Sequence, residues 1–95
     1  RMPYCTYILA SKPGGTLYIG TTNDLIRRIH EHRKAAVTGF TKRYKIHRLV
    51  YFEEHATSEQ AIRREKRLKT WLRVWKIQLK EAGNPNWDDL YPGLL

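Results

Sequence analysis

The chain has 95 residues, enough for one small hydrophobic core and too few for a second. Its hydrophobic and aromatic shares of 41% and 12% exclude intrinsic disorder, and its short apolar runs exclude a transmembrane helix or signal-peptide core. The single cysteine, Cys5, excludes a disulfide framework and a cysteine-based zinc site, while 18 basic against 9 acidic side chains leave a formal charge of +9. These features describe a cytoplasmic-type, strongly basic domain.

Tyr4–Ala10 (YCTYILA), rich in aromatic and aliphatic residues, predicts a strand. Lys12-Pro13-Gly14-Gly15 is a turn signal and Thr16–Thr21 (TLYIGT) the return strand, so residues 4–21 read as a β-hairpin. A first helix, capped by Thr22 or Asn23, is expected to run to about Val37 with Leu25, Ile29 and Ala36 as its apolar stripe. Thr38–Tyr44 (TGFTKRY) is a basic, glycine-containing loop in which Phe40 reads as a packing anchor, and Arg48–Phe52 a third strand. Thr57-Ser58-Glu59-Gln60 fits a capping box opening a second helix to about Lys69. Thr70 separates it from a third helical run, Trp71–Ala82, which Gly83 ends. Residues 2–82 form the domain, and the tail 83–95, with two prolines and a glycine, packs on it through Trp87 and Leu90. The order ββαβαα defines an α+β domain, a short sheet with flanking helices.

The charge is concentrated in two blocks. Residues 23–48 carry eight bases against Asp24 and Glu31, and residues 57–80 eight more against Glu59 and Glu65; from Glu81 onward there are three acids and no base. Two such blocks fit a polyanion, since each phosphate contacted releases condensed counterions. The competing reading is a solvated surface that keeps the protein soluble. An anionic membrane is disfavoured, because neither block has a long apolar face free of core duty.

Polar residues standing where the helical period calls for apolar ones mark candidate functional positions. Glu65 shares a face with Ala61, Leu68 and Leu72, and burying a carboxylate without a cation costs several kcal/mol. Either an arginine salt bridge or a divalent metal would compensate it. On the first helix Arg28 and His32 lie on or beside the stripe, one turn apart: a fork able to hold a phosphate beside a proton donor, or a rim arginine beside a satisfied core histidine. His30 and His32, spaced i, i+2, point to different sides and cannot share a metal; His47 and His55 read as surface. A turn centred on Pro13-Gly14 pairs Tyr7 with Gly20 and sets Tyr18 diagonal to Tyr7 on one face, as cross-strand packing or as a pair of functional phenols. Trp71 and Trp75, four apart, read as core rather than as stacking partners for bases.

At these residues the chain resembles the GIY-YIG nuclease superfamily. Cys5-Thr6-Tyr7, then Tyr18-Ile19-Gly20 eleven residues on, then Arg28, His32 and a helical Glu65 stand in the family's order, and the resemblance spans about residues 4–80. It is nearest the small single-domain bacterial proteins of the YhbQ-like, UPF0213-type group. TLYIGTTNDLIRRIHEH, GFTKRY, RLVYFEE and AIRREKRLK are the shared patterns. The resemblance implies a three-stranded antiparallel sheet flanked by helices and a bacterial, cytoplasmic, metal-dependent endonuclease. By position Tyr7, Tyr18, Arg28, His32 and Glu65 match the catalytic set, with Glu65 the single carboxylate for one Mg²⁺ or Mn²⁺. The first motif reads Cys-Thr-Tyr here instead of Gly-Ile-Tyr, which keeps the tyrosine. An asparagine that many relatives carry about a dozen residues after the glutamate is missing; either Gln78 or Lys80 replaces it or the role is absent.

The chemistry implied is hydrolysis of a phosphodiester to 5′-phosphate and 3′-hydroxyl ends. Tyr7, its pKa lowered by Arg28 and the metal, is expected to take the proton from water. Arg28 would hold the phosphate, while Tyr18 and His32 orient the water or serve as the base themselves. Lys42, Arg43 and Tyr44 in the loop, and Arg63, Arg64, Lys66 and Lys69 around Glu65, are the expected nucleic-acid contacts. The partner expected from the resemblance is DNA, single-stranded, branched or duplex, read with little sequence specificity, with no membrane and no organic cofactor. The alternative function is a non-catalytic nucleic-acid-binding module that retains the fold.

Overall fold

In the computed structural model, which describes residues 4–34, 46 and 48–95, strand β1 (Tyr4–Ala10) is the middle of a three-stranded antiparallel sheet. β2 (Leu17–Thr22) pairs along one edge and β3 (Arg48–His55) along the other. A strand with partners on both edges and elements on both faces has no solvent side, so six of its seven residues are buried and its sequence shows no polar alternation. The hairpin turn forms as its residues require. Gly15 N donates to the Lys12 carbonyl at 2.9 Å, and Gly14 takes φ +73°, the positive value that a type II turn demands after Pro13. That turn sets Tyr7 opposite Gly20 and Leu9 opposite Tyr18, the expected register.

The two faces of β1 build two cores. Cys5, Tyr7 and Leu9 pack with Leu25 and Ile29 of α1 (Leu25–Arg33) and with Leu49, closed by Leu90, Tyr91 and Leu94 from the tail. Ile8 and Ala10 face the other way, onto Ile19, Val50, Leu68 and Trp87, beneath α2 (Ser58–Thr70). Thr6 Oγ1, fully buried on that second face, donates to the Ala61 carbonyl at 2.9 Å and fastens α2 to the sheet.

The helix ends refine the expected boundaries. Asp24, not Thr22 or Asn23, caps α1, accepting from Arg27 N at 3.2 Å; Thr22 stays in β2 and its hydroxyl accepts from Asp24 N. The continuation expected to Val37 lies outside the described residues. Thr57 caps α2 as expected, accepting from Gln60 N at 3.2 Å, and the Gln60 side-chain Oε1 accepts from Ala56 N. The third helix, α3 (Arg73–Glu81), starts two residues late because Trp71 and Leu72 are extended, with ψ near 150°. Leu72 therefore leaves the stripe assigned to it and is 59% exposed.

The tail is bound at several points. The buried Asn84 amide donates to the carbonyls of Val50 (3.0 Å) and Asp88 (2.9 Å), and its Oδ1 accepts from Asp88 N. Leu90 N donates to the Leu49 carbonyl at 2.8 Å, and Arg33 pairs with Asp89. Among the described residues no helix is long and apolar enough to cross a membrane.

Candidate functional site

The hairpin register brings Tyr7 and Tyr18 to one face of the sheet, and α1 lays His32 against both. The Tyr7 hydroxyl lies 3.1 Å from His32 Nε2, and the histidine ring meets both tyrosine rings edge-on, at centroid distances of 6.0 Å and 5.4 Å. The Tyr7 ring crosses directly above Gly20. A Cβ at that position would stand 2.5 Å from the phenolic oxygen and 2.6 Å from Cζ, so the strand must carry a glycine there.

His32 is 2% exposed, and its Nδ1 finds no hydrogen-bond partner among the described residues. The tautomer sets the direction of this bond: with the proton on Nε2 the ring donates to the Tyr7 oxygen, and with it on Nδ1 the ring accepts from the Tyr7 hydroxyl. Burial, followed by the charge of Arg28, pushes the His32 pKa down to about 4, leaving a neutral ring at neutral pH. Burial also pushes Tyr7 up to about 12; the hydrogen bond and charge of Arg28 oppose this without overcoming it. The lowered pKa expected for Tyr7 is thus reversed in the protein alone, because the phenol is 99% shielded from the water that would solvate its anion. Arg28 is the cation facing Tyr7 and Tyr18, and it also reaches Glu31 at 3.4 Å.

Glu65 approaches from the opposite face. Thr21, next to Gly20, points toward α2, and its hydroxyl donates to Glu65 Oε1 at 2.5 Å across 44 positions of sequence. Lys69, one turn along α2, donates to Oε2 at 2.5 Å. Burial raises the Glu65 acid, but the hydrogen bonds from Lys69 and Thr21 outweigh it and hold the carboxyl below its ordinary value. The Gly20–Thr21 step is therefore the junction of two half-sites on the β2 edge: phenols, histidine and arginine on one side, the carboxylate on the other. The partner of Glu65 is a lysine and a threonine rather than the arginine that the helical pattern suggested. Thr21 went unnoticed in the sequence, although strand alternation after Tyr18 and Gly20 aims it at the second helix.

The donor set suits a hard divalent cation in one respect. Mg²⁺ keeps most of its waters and takes one or two carboxylates, and the Glu65 side chain, one-fifth exposed, offers such an oxygen at the surface. Lys69, half exposed on a flexible stem, must then release Oε2. No group of three or more histidine, cysteine, aspartate or glutamate side chains suited to a metal gathers among the described residues.

The remaining predicted positions divide. Arg63 and Lys66 are exposed on α2. Arg64 donates to Glu53 Oε2 at 3.0 Å and lies over the Trp71 ring at 5.2 Å, and Glu53 also binds Tyr51 and His55, the latter read as surface and in fact half-buried. Lys42, Arg43 and Tyr44, like Phe40 and His47, lie outside the described residues. Lys80 is buried with its ammonium 3.4 Å from the centroid of Trp87, bonded to the Asn84 carbonyl, and so serves the tail. Gln78 is exposed beside Trp71, Trp75 and Leu79.

A hairpin with paired tyrosines over a glycine, an arginine and histidine on the following helix and a carboxylate on the next define a nuclease-family domain. The chain belongs to the GIY-YIG family, whose catalytic-domain model matches residues 3–78. Within it the chain is similar to UPF0213 proteins: 39% identical over 62 residues to one from Bacillus pumilus and 32% over 69 residues to one from Staphylococcus epidermidis. The first match spans 65% of this chain and 63% of the relative, less than two thirds of its length; the second spans 73% and 84%. The solution NMR structure of the UPF0213 protein BH0048 from Bacillus halodurans is similar at TM-score 0.56 and 30% identity, over 93% of each chain.

Proposed function

We propose that this chain is a divalent-metal-dependent phosphodiesterase that cleaves DNA, with Glu65 holding one Mg²⁺ or Mn²⁺. The observation that carries the reading is the convergence at Gly20–Thr21: the Tyr7–His32–Tyr18 cluster and Arg28 above the strand, and a carboxylate fixed to the same strand from below. The chemistry such an ion supplies when bound is neutralisation of charge on the scissile phosphate and the leaving oxygen.

The chain's own groups divide the rest. Arg28, about one-third exposed, presents a fork to the non-bridging phosphate oxygens as charge develops on them. His32 is too weakly basic to hold a second proton at neutral pH, so its part, in the Nε2–H tautomer, is to donate to the Tyr7 oxygen. That hydrogen bond and the Arg28 charge both favour the phenolate form of Tyr7, the form able to take a proton from water. Tyr18, ring-on-edge to His32, orients the water. Single-stranded or flapped DNA is the substrate proposed, its phosphates meeting the exposed cations Arg63 and Lys66 beside Glu65 on α2.

One observation favours the second reading, a non-catalytic nucleic-acid-binding module: both Glu65 oxygens are already bonded within the chain. End-labelled single-stranded, duplex and flapped DNA incubated with Mg²⁺ or Mn²⁺, with EDTA and Glu65→Gln as controls, separates the two. Metal-dependent cutting lost in the variant supports the nuclease. Binding without cutting, equal in parent and variant, establishes the module.

A further inference from the structure

At the corner between α2 and α3 the chain leaves aromatic surface uncovered in its most basic region. Trp71 packs on the core beneath α2, but Trp75, expected to be core, is 50% exposed, and Leu72 and Val74 beside it are exposed as well. The cause is local: the extended pair Trp71–Leu72 breaks the helix, so α3 starts with a new rotation and Trp75 no longer follows the face of Leu68. The two indoles meet at right angles, with centroids 6.2 Å apart and planes at 87°. With Gln78 and Leu79 they line an open groove of about 560 Å³.

The surroundings of this groove select its occupant. Residues 61–80 contain eight lysines and arginines against one acid, Glu65. Arg64 covers one side of Trp71, and Arg73 donates to the carbonyls of Gly14 and Gly15 at 2.8 and 2.6 Å, pinning the start of α3 to the hairpin. Lys76, the residue after Trp75, lines a second depression with Leu17, Tyr18, Ile19 and Lys69. That depression includes Tyr18 and Lys69, the two residues that border the candidate site, and its Lys76 is the chain neighbour of Trp75. An apolar peptide would make no use of the positive charge gathered here. A duplex keeps its bases stacked on each other and offers no free ring face to an indole. A single strand supplies both chemistries at once, phosphates for lysines and unstacked bases for tryptophan.

We infer that Trp75, backed by Trp71 and edged by Gln78, is a stacking platform for an unpaired base of single-stranded nucleic acid, with Lys76 and Lys69 holding the phosphates that lead to the Tyr18–Glu65 edge. This deepens the proposed function, because it rests on a phosphodiester substrate and states which strand form is held. It does not require cleavage. The platform binds through ring faces and phosphates, whereas cutting needs Glu65.

The test is direct binding in EDTA with the Glu65→Gln protein, using a fluorescein-labelled twelve-residue oligothymidine and a hairpin duplex of equal charge. Single-strand binding is expected to quench tryptophan emission. Trp75→Ala should weaken the single strand about tenfold while changing the duplex less than twofold, and Trp75→Phe, which keeps a ring, should retain most of the affinity. Lys76→Ala should weaken both and reduce the salt slope by about one phosphate contact. Circular dichroism confirms that each variant is folded, which the exposure of Trp75 leads one to expect. Equal losses for single strand and duplex, or no loss on Trp75→Ala, would overturn the platform, as would Trp75-dependent binding to phosphatidylserine vesicles without an effect on the oligonucleotide. If the platform pattern holds and the parent chain does not cut with metal present, the platform stands and the catalytic reading falls.

Discussion

Gly20→Ala tests the geometry on which the site depends. In an ordinary strand this substitution stabilises by about 0.5–1 kcal/mol, because glycine has more backbone freedom to lose on folding. Here the new methyl would stand 2.5 Å from the Tyr7 oxygen and 2.6 Å from Cζ, well inside contact distance. A tyrosine tip can often swing aside, but this ring is 1% exposed, packed under α1 and bonded to His32, so displacing it disturbs the core. Overpacking of that kind costs about 1–3 kcal/mol, and the net expectation is a loss of about 1–2 kcal/mol. In a domain of this size that lowers Tm by roughly 5–15 °C, measurable by thermal or urea denaturation. The clash also has a specific signature. Tyr7→Phe removes the hydroxyl but keeps Cζ in place, so Gly20→Ala should remain costly in that background. Tyr7→Leu removes both close atoms, and there the same substitution should become neutral or slightly stabilising. A double-mutant cycle yielding a coupling of about 1–3 kcal/mol with leucine and much less with phenylalanine supports the close approach. A Gly20→Ala protein as stable as the parent would refute it.

Further predictions follow from the same contacts. His32 has a folded pKa of about 4 against an ordinary 6.5, so the unfolded chain binds its proton first. The stability this involves is complete above pH 6.5 and lost as pH falls toward 4, up to about 3 kcal/mol at about 1.4 kcal/mol per pH unit. Urea midpoints of the parent should fall between pH 6.5 and 4.5, and a His32→Gln protein with the same slope would sink the assignment. Thr21→Val keeps the shape of the side chain but removes a donor from Glu65, so the Glu65 carboxyl should titrate at higher pH by carbon-detected NMR; an unchanged titration would place the control of this group in Lys69 alone. Asn84→Ala leaves the buried Val50 carbonyl without its side-chain donor and should cost about 2–3 kcal/mol, with faster amide exchange along 84–95 than in β1. Exchange that rises equally everywhere would mean that the tail is not a separately opening unit.

Much of this protein is decided by short-range chemistry and is therefore legible in its sequence. Pro13-Gly14 fixes a turn, the turn fixes a register, and the register alone places Tyr7 over Gly20 with Tyr18 diagonal to it. The box at Thr57–Gln60 starts a helix because its polar atoms satisfy backbone groups three residues away. Arg28, His32 and Glu65 stand out because helical period and side-chain polarity conflict at those positions. What the sequence could not decide depends on groups that meet only when elements pack. Alternation puts Thr21 on the α2 side of the strand, but only the docking of the helix brings its hydroxyl to Glu65, 44 positions away, and leaves a lysine rather than an arginine as the second partner. The acidity of Tyr7 follows from the summed burial of two strands, a helix and a tail, which outweighs the neighbouring arginine that the sequence made visible. Trp75 turned outward for a similar reason. Residue spacing predicts a shared face only while the helix is continuous, and the two extended residues at Trp71–Leu72 reset the rotation of everything after them.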